Sequence, residues 1–179
     1  GAPFPLPDRF MRSGYKFSDR VVYVPWLSNL VSVYEMPQDC YAISFGFSGC
    51  YMAKFILQQR CYIAHIHCDS SQPSSDCKNA WRAFLNYCED NGIEYTVRAI
   101  FQPTNTRDAI FELREKENNY FLREKQGCFL TTIAGVISPE NICYSVLVNI
   151  FNHRALLVEE NECADKYLLD NCEGSCCRV

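Results

Sequence analysis

Apolar residues in this chain gather in short runs bounded by turn formers, a pattern that predicts strands far more often than helices. Residues 21–24, 30–36 and 41–47 are rich in Val, Tyr, Ile and Phe and are punctuated by Pro25, Pro37 and Asp39. Residues 51–57 and 60–67 read as two further strands joined by the polar turn Gln58-Gln59. Residues 94–101, halted by Pro103, and residues 128–137, 143–151 and 154–159 complete the set, the last two as a hairpin around Asn152-His153. A helical period is clearest where Trp81, Phe84, Leu85 and Cys88 fall at i, i+3, i+4 and i+7. Ser74, Ser75 or Asp76 is placed to cap that helix and Asn91-Gly92 to stop it. Weaker helices are expected over 106–118, with Ile110 and Leu113 inward, and over 164–169. Pro3, Pro5 and Pro7 discourage helix in residues 1–20, which read as an extended arm preceding a single domain over 21–179. Strands joined by short turns predict an α+β fold: a mainly antiparallel β-sandwich flanked by helices.

Composition supports a folded body. Of 179 residues, 48% are hydrophobic and 21% charged, well away from the disordered regime. A net charge of −4 argues against nucleic acid as a partner, because phosphate binding needs clustered Lys and Arg. The charge-dense stretch 112–125 mixes both signs and reads as a solvated face. No apolar run approaches the ~18 residues of a membrane-spanning helix, and residues 1–10 lack the charged start and apolar core of a signal peptide. The twelve cysteines change the picture more. Cys61, Cys128 and Cys143 sit in strand-like runs and Cys88 on a helix face, where thiols behave as small hydrophobes. Mainly reduced cysteines are expected.

The chemistry concentrates in residues 47–69. Along an extended strand Cys50, Met52 and Lys54 share one face, and on the returning strand Ile63, His65 and His67 share another. If the turn centres on Leu57-Gln58, Cys50 faces His65; if it centres on Gln58-Gln59, Cys50 faces His67 and His65 is its diagonal neighbour. Either register allows a thiol and an imidazole to act together, with Cys50 as nucleophile, His65 as base and His67 as the alternative base. Ser48 and Gly49 precede the thiol, and the glycine lets backbone amides turn toward one point as an oxyanion hole. The alternative is a buried structural cysteine beside an unrelated histidine. A zinc site at His67 and Cys68 with Cys61 lacks a second well-spaced ligand pair, so no metal is expected. His153 reads as a turn residue, and Cys172, Cys176 and Cys177 as a reduced tail.

The Ser48-Gly49-Cys50 turn, the strand that follows it and His65 fifteen residues on resemble the catalytic domain of the cytotoxic necrotizing factors. Burkholderia lethal factor and the chemotaxis-receptor deamidases belong to the same structural superfamily. Phe47 stands where those toxins carry a leucine. The resemblance implies a deamidase-toxin fold and a Cys50–His65 hydrolase that converts a glutamine of a target protein to glutamate without any cofactor. It also implies a bacterial effector, secreted and acting in the cytosol of a target cell. A third group should orient the imidazole, and the sequence does not identify it. Two other functions remain open at this point: a thiol peptidase or amidase, and a non-enzymatic cysteine-rich effector that only binds a host protein.

Overall fold

The computed structural model of the protein describes residues 5–68, 76–105, 112, 113, 116 and 131–168. Among these residues two sheets and one helix form a mixed α+β architecture. The first sheet contains β1 (Phe10–Arg12), β4 (Val31–Glu35), β7 (Arg60–Ile66), β6 (Tyr51–Leu57) and β8 (Tyr95–Phe101), in that spatial order. The second runs β11 (Ala155–Asn161), β10 (Cys143–Asn149), β9 (Thr131–Ile137), β5 (Tyr41–Ser44), β3 (Val21–Tyr23) and β2 (Tyr15–Ser18). The β1–β4 and β3–β5 pairs are parallel, and the other paired strands are antiparallel. Helix α1 (Asp76–Asp90) is the described helix.

One apolar cluster draws on both sheets. Val22 and Ala42 reach it from β3 and β5, Ile133 and Ile137 from β9, and Met52, Ile63 and Phe101 from the first sheet. A second cluster joins the opposite face of the first sheet to α1, through Ala53, Phe55, Ala64 and Ile66 against Trp81, Phe84, Leu85 and Cys88. Strand β6 therefore has both faces covered, which is why its sequence is nearly continuously apolar rather than alternating. Its inward Lys54 is the exception. The Lys54 ammonium donates to the carbonyls of Gln38, Ser138 and Pro139 at 3.4, 3.3 and 3.2 Å, and burial lowers its pKa.

The hairpin register follows from its turn. Gln58 and Gln59 both have left-handed φ, 48° and 69°, the geometry of a two-residue type I′ turn whose twist matches the strands it joins. Leu57 then pairs with Arg60, and the ladder continues to Tyr51 opposite Ile66.

Several expected elements differ from those observed. Residues 10–12 and 15–18, within the expected arm, are strands incorporated in the two sheets. Strand β5 stops at Ser44 instead of running to residue 47, because Gly46 takes a φ of 76° and turns the chain, leaving Phe45 exposed and returning Phe47 to the interior. No helix forms over 164–168. The Ala164 amide donates to Ile100 O, and the segment crosses α1 as a strap. The carbonyls of Lys166, Tyr167 and Leu168 accept from Trp81 Nε1, Arg82 Nε and Arg82 Nη2, each at 2.7 Å. Those carbonyls are committed to side chains of the helix. The helix expected over 106–118 falls largely outside the described residues, as do Ser74, Ser75, residues 128–130 and Cys172, Cys176 and Cys177.

Candidate functional site

The observed turn selects the second of the two hairpin registers. Met52, not Cys50, lies opposite His65. Continuing the ladder one step places Cys50, the residue before β6, across from His67, with His65 on the diagonal. Such diagonal neighbours on one face stand about 7–8 Å apart at Cα, within reach of long side chains. Cys50 belongs to the cluster between the sheets together with Met52, so it shares the face of His65.

His65 is held firmly. Its ring points from β7 across to β5, where Nδ1 lies 2.6 Å from Ser44 Oγ. Ser44 donates its one hydroxyl proton to Val24 O, also at 2.6 Å. Its oxygen is therefore the acceptor toward the ring, and Nδ1 carries the imidazole proton. The other nitrogen, Nε2, is left unprotonated, buried and without any hydrogen-bond partner. Phe47 lies flat on the ring, centroids 4.3 Å apart and planes within 4°. Gly135 on β9 makes room for this stack: a Cβ there would stand 3.0 Å from both Phe47 Cε2 and Met52 Sδ and 2.8 Å from Pro103 Cγ. With the side chain 0% exposed, burial and secondarily the neighbouring His67 lower the His65 pKa from 6.5 to about 3. The ring is neutral.

Cys50 is 1% exposed. Its sulfur accepts from the Cys68 amide at 3.4 Å and approaches the Cys68 carbonyl at 3.7 Å. Burial raises the thiol pKa, opposed by hydrogen bonds from the backbone of Cys68 and Ser48 and from the Trp26 indole. The thiolate–imidazolium pair that sequence spacing alone allows is thus not the resting state; both groups are neutral. No hydrogen bond joins them, since Nδ1 is occupied by Ser44 and Nε2 has no partner. The structure brings Cys50 and His65 to one face but not into contact.

The surrounding turn differs in detail from the sequence reading. Ser48 is exposed and Gly49 buried. The left-handed glycine is Gly46, not Gly49. The Gly49 carbonyl accepts from Gln102 Nε2 at 2.9 Å, while the amides of Gly49 and Cys50 donate to no backbone carbonyl outside the strand ladders. His67 is half-buried, its Nδ1 accepting from the Asn29 amide at 2.6 Å and its ring meeting Trp26 edge-on at 5.3 Å. Trp26, 45% exposed, therefore touches the surroundings of both Cys50 and His67 and forms the outer wall. Neither Trp26 nor Ser44 stood out in the sequence. The only local hint at Ser44 is its alternation with the inward Ala42; its ring partner comes from another sheet.

Other candidates separate. Cys61 and His67 sit at opposite ends of the returning segment, six residues of extended chain apart, roughly 20 Å. No group of three potential metal ligands occurs among the described residues. His153 occupies the β10–β11 turn with a φ of 57°, its amide donating to Asn149 O. The eight described cysteines are all free thiols. Comparison with protein-family models, with curated proteins and with solved structures finds no match for the chain.

Proposed function

We propose that the chain is a cysteine hydrolase that deamidates a glutamine side chain of a protein, built on the β-sandwich plan of the deamidase toxins, with Cys50 as nucleophile, His65 as base and Ser44 orienting the base. One observation carries this reading. Ser44, with its own proton committed to Val24 O, fixes His65 as the Nδ1–H tautomer and leaves a bare Nε2 on the face shared with Cys50. A buried nitrogen without a protein partner costs stability, commonly about 1–3 kcal/mol, and a role as base gives a reason to keep it. The Ser48-Gly49-Cys50 and His65 resemblance to the necrotizing-factor deamidases supports the same assignment.

In the cycle, the Cys50 sulfur attacks the carboxamide carbon as its proton passes to His65 Nε2. The amides of Gly49 and Cys50 receive the oxyanion. The imidazolium then protonates the departing ammonia as the C–N bond breaks, leaving a thioester. Water, deprotonated by Nε2, cleaves the thioester and returns the thiol, and the product is glutamate. Because both groups are covered in this structure, entry of the substrate requires the Trp26 side chain or the 45–49 turn to move aside. Cys50 leads into a strand and not a helix, which disfavours the peptidase arrangement with its thiol at a helix N-terminus.

Burial supports a second reading, in which Ser44 and His65 are a structural cross-link between the sheets and the chain only binds a protein. Intact mass spectrometry of candidate target proteins separates the two. A gain of ~1 Da per modified glutamine, with stoichiometric ammonia, is the expected outcome, because an amide nitrogen is replaced by oxygen. An unchanged mass in a target that binds tightly would leave the binding module in place of the enzyme.

Ser44→Ala is expected to lower the deamidation rate about 10²-fold or more, since the imidazole loses its tautomer lock. Ser44→Thr, which keeps the hydroxyl, should recover most of the rate. Equal losses in both variants would assign Ser44 to packing alone.

A further inference from the structure

The described thiols other than Cys163 are buried, and one pair has its sulfurs in contact. Cys143 Sγ and Cys163 Sγ lie 3.9 Å apart. Cys143 opens β10, buried between Ile137 of β9 and Asn161 of β11 as its two register partners. Cys163 lies two residues beyond β11 and is exposed. Neither sulfur is free to wander. Before Cys163, Asn161 Nδ2 donates to Asn105 O and Ser145 Oγ, both at 3.1 Å. After it, the Ala164 amide is fixed to Ile100 O at 2.7 Å, and the strap is tied to α1 through Trp81 and Arg82. The anchors on both sides hold the exposed sulfur over the buried one.

We infer that Cys143 and Cys163 form a dithiol that closes to a disulfide under oxidising conditions, stapling the 162–168 strap to the second sheet. The inference is independent of the proposed deamidase. Bond formation needs the sulfurs to approach to about 2.05 Å, a displacement that side-chain rotation can supply from van der Waals contact. The exposed partner reacts first. The Cys163 thiolate attacks a low-molecular-weight disulfide such as oxidised glutathione, breaking its S–S bond, forming a mixed disulfide and releasing one glutathione thiolate. Cys143 then gives its proton to solvent, attacks Cys163 Sγ and expels the second glutathione. The protein pair loses two electrons and the reagent gains them. Burial, with Cys163 close by, keeps Cys143 protonated above the ordinary thiol range, so this second step is the slower one.

The test is to incubate the folded chain with oxidised glutathione, block the remaining thiols, and map the digested protein by mass spectrometry without reduction. A peptide joining Cys143 to Cys163, ~2 Da lighter than the two thiols and restored by dithiothreitol, is expected, with Tm about 6 °C or more above the reduced form. Cys143→Ser should instead leave a persistent glutathione adduct on Cys163. A persistent adduct on Cys163 in the unmutated chain, a bond from Cys163 to any other cysteine, or two unreacted thiols would each overturn the inference.

Discussion

Under the proposed mechanism, Cys50→Ser is expected to abolish deamidation, lowering the rate at least about 10⁴-fold while leaving the chain folded. The two halves of that statement rest on different physics. A serine hydroxyl is a far poorer nucleophile than a thiol at neutral pH, and the base available to it is an imidazole whose pKa burial has pushed down to about 3. Stability should change little, because the two side chains are nearly the same size. The hydroxyl also inherits ready partners in the Cys68 carbonyl and amide that now flank the sulfur. His65→Ala should lose a comparable factor, and the double variant little more than either single one, because nucleophile and base act as a unit. Ammonia release measured on the three variants, with circular dichroism as the folding control, reads this directly. Full activity in Cys50→Ser would remove the thiol from the mechanism. A His67→Ala loss exceeding that of His65→Ala would move the base two residues along the strand.

What the sequence reveals about this molecule is mostly what alternation and local punctuation can carry. The β6–β7 hairpin and helix α1 are self-contained signals: a two-residue polar turn between apolar runs, and an apolar stripe closed by Asn91-Gly92. The common face of Cys50, Met52 and Lys54 was legible for the same reason, since strand geometry alone fixes it. The choice between the two registers was not. It depends on whether glutamines, unlike glycine or asparagine, accept left-handed φ at both turn positions, and here they do. The 164–168 strap misled because its apolar pattern suits a helix, whereas its carbonyls are claimed by Trp81 and Arg82 from more than eighty residues away.

The same distance in sequence hid the orienting group. Polar side chains that cross the interior are what local patterns cannot show. Ser44 reaches His65 from the other sheet, Ser145 Oγ donates to Pro103 O at 2.6 Å, and Lys54 joins the Gln38 loop to the 138–140 turn. Each is a single polar residue in an apolar run, and each has a partner that only the assembled sheets bring near. Buried groups of this kind fix the relative position of sheets more sharply than apolar contacts do, because a displaced hydrogen bond inside the core has no water to replace it. Ser44 thus serves two ends at once: it ties β7 to β5, and it decides which nitrogen of His65 carries the proton.

A second large effect follows from His65 itself, and it is expected whether or not the chain is an enzyme. Between pH 6.5 and pH 3 the protein should lose on the order of 5 kcal/mol of folding stability through this one residue. The sign follows from where the proton binds. In the unfolded chain the imidazole titrates near 6.5; in the folded chain burial holds it neutral down to about 3. Above 6.5 both states carry a neutral ring and the contribution is nil. Below it the unfolded state takes up a proton that the folded state refuses, so stability falls by about 1.4 kcal/mol per pH unit until the folded ring is protonated too. Carboxylates such as Glu89, whose pKa is lowered first by its hydrogen bond from Tyr167, contribute mainly at more acid pH, so the interval from 6.5 to 4.5 is where His65 weighs most. Urea unfolding across that interval should show a loss of about 3 kcal/mol, a large share of the ~5–15 kcal/mol that folded domains possess. His65→Gln keeps an N–H for Ser44 but does not titrate, and the slope should flatten in that variant. An equal slope in both proteins would mean that the ring is reached by solvent and that Nε2 is not the sealed, unpaired base on which the catalytic assignment depends.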